Sequence, residues 1–551
     1  MDPDLLPSLL RDNLHSFDEA LLNTVKSGSI ISSGFATSEP YAFYQGLWDH
    51  IQKNDITDIR IQQGLFMGPH KLCVGDALSA KGRLEALANA LGSLPYIGDV
   101  VKKANNATQK LDGLDKLISH YRELQRRNII FESGFMSAVS NITIPDNAVT
   151  RMLYPEFAGR NSSRMGITDM HSVHFPDAVG GLALDPDKGC KVDTFVMVMT
   201  PPDGSGEMSH GPANGANGEL VDHILETLDA NILVFVNEKY PFTRGYGPAP
   251  NTVHVDRFEK LAKAGKLFVV IDDTDVPALP ADSFADPPPE ERAIAENIVN
   301  HIEMNKDFTY GRAIQVGIGG TGVLAIKGLR DSSWEGRMYT EMLEPFTLDL
   351  FEAGKIKGTH FIENDGTRTR LDGKMICTFS ICETGSDFYD KIHNNDSLVV
   401  APASRVVVSE GFYGGMGINN CLAVDFHGHV NSGGRYKNHH SGIGGAAMIM
   451  RGLAKGGVGY LCLKSTHKTP EGELRSSIMP FMPEGTPIAL VGPDIWGTRS
   501  GARMFLATEH GVARLSTRSQ ADFIRSIISV ADPRFKDWLV KQAWEEFRVK
   551  V

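Results

Sequence analysis

Ala313-Ile314-Gln315-Val316-Gly317-Ile318-Gly319-Gly320-Thr321-Gly322, running on through Val323–Arg330 to Arg337-Met338-Tyr339-Thr340-Glu341-Met342, is the stretch around which the chain is organised. The apolar run Ala313–Val316 reads as a short buried strand. The glycines form a tight turn whose bare backbone can approach a ligand, and the helix starting near Val323 aims its N-terminus at that turn. A second strand delivers Glu341, and Leu348-Asp349-Leu350-Phe351-Glu352-Ala353-Gly354 reads as a helix closing on a glycine cap. One carboxylate and one ring of backbone N–H donors therefore leave the same edge of one sheet, where an open α/β sheet puts its site. A glycine turn with an acid about twenty residues on also fits a dinucleotide-binding unit whose glutamate grips a ribose. The stretch alone leaves that second chemistry open.

The 551 residues suggest two or more domains, and 42% hydrophobic with 22% charged residues is an ordinary globular balance. A net charge of −12 argues against non-specific nucleic-acid binding. Cys73, Cys190, Cys377, Cys382, Cys421 and Cys462 contain no Cys-x-x-Cys pair and read as buried thiols in a reducing compartment. Met1-Asp2-Pro3-Asp4 opens an acidic N-terminus with no apolar run behind it, so no secretory signal or transit peptide is expected. No stretch reaches the roughly 20 apolar residues of a spanning helix. A cytoplasmic protein without a membrane or nucleic-acid partner is the expectation.

Outward from the central stretch, Leu5–Ser27 reads as a helical entry and Ile30–Ala36 as a strand entering a small-residue loop, with helix from about Tyr41. Ile59–Ile61 and Leu72–Val74 are weaker strand candidates. From about 76 to 128 the pattern is helical, and Leu111, Leu114, Leu117, Ile118, Tyr121 and Leu124 keep to one face, a packing face before a partner-binding one. Lys191–Met199, Ile232–Asn237 and Leu267–Asp272 have the apolar density of buried parallel strands. Helices fit between them near Leu220–Leu228 and Val255–Ala264. Prolines crowd the stretch from Val276 to Pro289. That density forbids helix and central strand. Residues 276–292 are accordingly a linker between an N-terminal domain (1–275) and a C-terminal domain (293–551) carrying the glutamate. Two open-sheet α/β domains with helices on both faces are expected.

Later motifs bring in a family. Ile418-Asn419-Asn420-Cys421-Leu422-Ala423-Val424-Asp425-Phe426-His427-Gly428-His429-Val430-Asn431 resembles the IN…VDxxGxVN segment of the acetyl-CoA hydrolase/CoA-transferase family, the class I group containing succinyl-CoA:acetate and 4-hydroxybutyrate CoA-transferases. Ser441-Gly442-Ile443-Gly444-Gly445 resembles that family's second glycine loop. Ala454–Gly457, Ser477–Pro480 and Thr508–Ala513 follow in its order, and Gly317–Gly319 with Tyr339–Met342 match its first glycine loop and catalytic-glutamate motif. The likeness covers roughly residues 28–70 and 130–550, weakly in the first half and strongly in the second.

The resemblance implies CoA-transferase-type domains and a ping-pong transfer of CoA between an acyl-CoA and a small carboxylate. It casts Glu341 as nucleophile and the backbone N–H groups of Ile318 and Gly444 as oxyanion hole. Asn419 would hold the substrate end of the thioester, and Glu509 would stand near the carboxylate substrate. Gly317, Gly319, Gly320, Gly442, Gly445 and Lys455 are the candidate coenzyme A contacts. Coenzyme A enters as substrate and covalent thioester, with no metal, and a homodimer is implied. A carboxylate is an adequate nucleophile toward a thioester, whose thiolate leaves easily. Two fixed backbone donors at the developing oxyanion would contribute about 3–4 kcal/mol each.

Departures bear on the substrate. His439-His440 stand where relatives carry Gln with an aromatic residue, and His510 where they carry Tyr or Gln. These positions are expected to line the acyl or carboxylate pocket. His427, His429, His439 and His440 lack a carboxylate or Cys partner at ligand spacing, so pocket or packing histidines are preferred to a zinc site. Cys421 reads as a packed thiol, Glu509 as site residue or ion-pair partner, Lys455 as phosphate contact or solvated lysine. An acyl-CoA hydrolase on the same site is the near alternative, because both reactions need the same glutamate. A nicotinamide-dependent oxidoreductase is the remote one.

Overall fold

The structure, a computed structural model, describes residues 1–67, 70–77, 107–134, 144, 146, 148–171, 173–185, 187, 189–281, 283, 287–317, 319–364, 366–435, 438–439, 441–469, 472–497 and 501–551. Two open sheets organise them. The first contains β1 (Ile30–Ser33), β2 (Arg60–Gln63), β3 (Ile130–Ser133), β4 (Thr168–Met170), β5 (Thr194–Met199), β6 (Asn231–Asn237) and β7 (Leu267–Asp272). Its order is β7-β6-β5-β1-β2-β3-β4, and every pairing is parallel. Chain order reverses at β1, so the crevice between β1 and β5 is a topological switch point. The helices α1 (Tyr41–Lys53), α2 (Ala107–Arg126) and α3 (Asn217–Thr227) cover this sheet, which is why its strands need apolar residues on both faces.

The second sheet contains β8 (Ala313–Val316), β9 (Arg337–Tyr339), β10 (Met375–Cys377), β11 (Leu398–Val400), β12 (Met416–Asn420), β13 (Val458–Cys462), β14 (Arg503–Thr508) and β15 (Gly511–Arg514). The order is β11-β10-β9-β8-β12-β13-β14-β15, parallel except for the final hairpin β14–β15. Here the reversal is at β8, the strand of the opening stretch. The helices α4 (Pro289–Met304), α5 (Gly320–Asp331), α6 (Pro345–Glu352) and α7 (Ala446–Leu453) pack on it. This is the open α/β architecture expected, with neither sheet closed into a barrel.

Several expectations need correcting. Leu72–Val74 is not a strand but part of the helical turn Lys71–Val74, whose Cys73 and Val74 N–H groups donate to the His70 carbonyl at 3.0 and 3.3 Å. All three apolar residues are buried, and so short an apolar run reads the same in either state. The entry 5–27 is broken helix: Ser8–Arg11, then Phe17–Thr24 opened by a Ser16/Glu19 capping box. Between the pieces, Asn13 and His15 bond Val269 and cover the open edge of β7. The proline stretch ends sooner than expected, because Pro289 serves as the first residue of α4. Of the helical region 76–128, residues 78–106 lie outside the described residues; in α2, Leu117, Ile118, Tyr121 and Leu124 are buried against the first sheet, while Leu114 is partly so.

Candidate active site

Glu341 sits where β9 has ended and a short strand, Met342–Leu343, begins beside Phe379–Ser380. Its carbonyl accepts from the backbone of Thr378 at 3.0 Å and Phe379 at 3.4 Å, which pins the residue at the sheet's C-terminal edge. Its side chain reaches the second glycine loop. A Cβ on Gly445 would fall 1.9 Å from Glu341 Oε2, so only a glycine lets the carboxylate lie there. Burial pushes the carboxyl up to about 7, opposed by the nearby Gly445 N–H. Oε2 is buried without a hydrogen-bond partner. A desolvated carboxylate with one oxygen unpaired is costly to fold and is characteristic of reactive groups.

The carboxylate faces a pocket between the two sheets. From the second half come Glu341, Phe379 and Gly444; the remaining lining belongs to the first half, including Ser32, Ser33, Phe35, Gln62, Phe175 and Leu220. The halves are tied together beside the glutamate. Asn214 N donates to Thr378 O at 3.0 Å, Ser380 N to Pro212 O at 2.8 Å, and Phe175 N to Gly444 O at 3.1 Å. The Phe35 ring stands edge-on to Phe379 at 5.3 Å and packs on Phe175 at 4.6 Å. Gly444 adopts φ +54°, a left-handed turn that brings the loop back under Glu341.

The other expected site residues distribute differently. Gly317, Gly319 and Gly320 do form the turn before α5, with Gly319 at φ +134° and Gly317 N donating to Ile418 O at 2.8 Å. None of them lines the Glu341 pocket. The helix N-terminus is instead met from within: a Cβ on Gly320 would lie 2.3 Å from Glu291 Oε2, and Glu291 Oε1 pairs with Lys464 Nζ at 2.6 Å. A carboxylate thus stands where the dinucleotide reading needs a pyrophosphate. Ile318 and His440 lie outside the described residues.

Asn419 is buried behind that turn, its Nδ2 donating to Gln315 Oε1 at 3.1 Å and to Met450 Sδ at 3.4 Å. Gly442 is buried in the second loop. Glu509 follows β14, four strand intervals from β9 and so about 19 Å away at the usual spacing. Its carboxylate accepts from Ser465 N at 3.0 Å and Ser465 Oγ at 2.5 Å. His510 Nε2 lies 3.8 Å from Glu509 and 3.7 Å from Asp532. Neither Glu509 nor His510 lines the Glu341 pocket. Lys455 donates to Tyr413 OH at 2.7 Å from beyond the C-terminal end of α7, the end away from the glycine loop. Cys421 is a buried thiol outside any disulfide, its Sγ 3.6 Å from Cys462 O, and no group of three His, Cys, Asp or Glu converges as a metal set among the described residues.

Sequence reading missed most of the pocket, because Ser33, Gln62, Phe175 and Leu220 come from separate elements with no local motif. It also passed over Glu344, three residues beyond Glu341. That carboxyl is buried, with Oε2 unpaired, and burial pushes it up to about 8 against the pull of Lys327.

Residues 385–543 match the acetyl-CoA hydrolase/transferase C-terminal domain. The butyryl-CoA:acetate CoA-transferase of Anaerostipes caccae is 26% identical over 365 residues, 64% of this chain and 72% of that one. The 4-hydroxybutyrate coenzyme A transferase of Clostridium kluyveri is 25% identical over 398 residues, 70% and 79% of the two chains. The crystal structure of RipA from Yersinia pestis shares the fold at a TM-score of 0.65 and 21% identity, covering 99% of this chain and 100% of that one. Residues 385–543 thus match an acetyl-CoA hydrolase/transferase C-terminal domain, and over about two thirds of its length the chain is similar to CoA-transferases.

Proposed function

We propose that this enzyme is an acyl-CoA:carboxylate CoA-transferase working through Glu341, its two sheets forming the cores of domains joined by residues 276–292. The observation that carries the reading is the buried Glu341 carboxylate, its Oε2 without a partner, held against Gly445 beside a largely apolar pocket. The Glu341 carboxylate attacks the thioester carbonyl, the C–S bond breaks, and CoA leaves as thiolate with an acyl-glutamyl anhydride behind it. The thiolate then attacks the glutamyl carbonyl, releasing the first carboxylate and leaving a glutamyl-CoA thioester. An acceptor carboxylate reverses both steps. Each tetrahedral intermediate gathers negative charge on one oxygen beside the Gly444–Gly445 backbone, the position for an oxyanion donor. The apolar walls keep water from anhydride and thioester.

Borohydride reduction of enzyme incubated with acyl-CoA should convert Glu341 alone to an alcohol, found by peptide mass. A Glu341→Ala protein that still transfers would end the reading. The matching domain is named for hydrolases as well, and a hydrolase would use the same first step with water as acceptor. Thiol release insensitive to added carboxylates, with no acyl exchange, would assign hydrolysis.

A further inference from the structure

The pocket wall opposite the chemistry holds a polar atom with nothing to bond. Phe195, Ser32 and Gln62 are in register on β5, β1 and β2 and form the pocket floor. Gln62 is 4% exposed. Its Nε2 donates to Glu132 Oε2 at 3.0 Å and to the carbonyl of Leu182 at 2.7 Å. Both partners accept only, and Glu132 is engaged by Arg60 at 3.0 Å, so the amide cannot be turned over. Oε1 is therefore left as a buried acceptor to which no group of the described residues donates. Leu182 belongs to Val179–Ala183, a π-helical turn that also lines the pocket. Such turns are rare and gather at functional sites. Around this atom the walls are Phe35, Phe175, Val179, Leu220 and Phe379, and among the described residues no Lys, Arg or His lines the pocket.

Resting on the transferase reading, we propose that Gln62 is a specificity-determining residue and that the acyl group is apolar with a hydroxyl donating to Gln62 Oε1. Phe35, Phe175, Leu220 and Phe379 line the pocket together with Gln62 and Glu341, which suits an apolar chain with one polar contact. A second carboxylate on the acyl group would meet no cation there and would share the space with Glu341, so dicarboxylyl thioesters are disfavoured. A hydroxyl supplies the missing donor without charge. A site built around a buried hydrogen bond rejects the analogue that leaves its polar group unpaired.

The test is kcat/KM for hexanoyl-CoA, its 3-, 4-, 5- and 6-hydroxy derivatives, butyryl-CoA and succinyl-CoA, with acetate as acceptor, in the natural enzyme and in Gln62→Met. The expected result is that one hydroxy isomer exceeds hexanoyl-CoA at least tenfold, and that Gln62→Met brings this ratio to one or below. Hexanoyl-CoA should exceed butyryl-CoA by about threefold to fourfold per added methylene, and succinyl-CoA should be poorest. No preference among isomers, a preference that survives Gln62→Met, or a loss equal for every ester would overturn the proposal. The last outcome would assign Oε1 to the common coenzyme A portion. Should Gln62→Met not fold, Gln62→Asn withdraws the same oxygen and is read the same way. Binding of the esters to Glu341→Ala separates the two ideas. Selective binding of one isomer to Glu341→Ala, with no turnover of any ester by the natural enzyme, defeats the transferase reading alone, whereas even turnover of all esters by the natural enzyme defeats the inference alone.

Discussion

Gly445→Ala is the substitution that most directly tests how the nucleophile is held. The new Cβ would lie 1.9 Å from Glu341 Oε2 and 2.5 Å from Val407 Cγ1. Ordinary contact begins at 3.4 Å, so the carboxylate must retreat by about 1.5 Å. The backbone raises no objection, because Gly445 caps α7 at φ −85° and ψ −5°, a conformation alanine adopts freely. Loss of a good cap residue and the push on Val407 together cost about 1–3 kcal/mol. The melting temperature should therefore drop by only a few degrees. Catalysis should suffer far more, since a misplacement of about 1 Å costs roughly a hundredfold. We expect kcat/KM for acyl exchange to fall 100- to 1,000-fold, with borohydride trapping at Glu341 falling in parallel. The assay is exchange of labelled acetate into an acyl-CoA, alongside thermal melting by circular dichroism. A folded Gly445→Ala protein within threefold of natural kcat/KM would refute the placement of Glu341 against this loop.

Four further outcomes follow from the same structure. Burial raises the Glu341 carboxyl to about 7 and only the carboxylate is nucleophilic, so kcat/KM should climb with pH and level off above an inflection near 7; a flat profile between pH 5 and 8 would contradict this. Glu39, buried beside His70, is likewise raised by burial to about 8 from an ordinary 4.5, so its favourable contribution is complete below pH 4.5 and is lost as pH rises through 8. Glu39→Gln should then equal the natural protein near pH 4.5 and exceed it by a few kcal/mol at pH 8.5 in urea titrations; equal stability at both would contradict the assignment. Glu509→Gln should cost about 1–2 kcal/mol through its Ser465 bonds while Glu341 trapping continues; lost trapping in a folded variant would return Glu509 to the chemistry. Lys455→Met should leave the KM for acyl-CoA within twofold, because that ammonium is engaged by Tyr413; a tenfold rise would show that it holds phosphate.

The order and type of the main elements were legible because buried parallel strands demand unbroken apolar runs, and Ile232–Asn237 and Leu267–Asp272 can hardly be anything else. Leu72–Val74 was misread because three apolar residues have no period. Glu341 and the Gly444–Gly445 loop were each nameable from local sequence, since a strand end, a glycine turn and an acid are signals a few residues long. That their atoms meet, with one missing Cβ making the room, is a fact about residues about a hundred positions apart, and only packing decides it. Glu509, His510 and Lys455 show the converse. All three neighbour motif residues in the chain, yet strand order and helix length carry them away from the pocket. The pocket itself is tertiary throughout: Gln62, Phe175 and Leu220 are unremarkable in sequence and acquire meaning when the first sheet closes over the edge of the second. Sequence determines which chemistry the backbone can present, because strands, turns and caps are local. Which side chains surround the substrate depends on contacts between distant segments, and those exist only once the two sheets have packed.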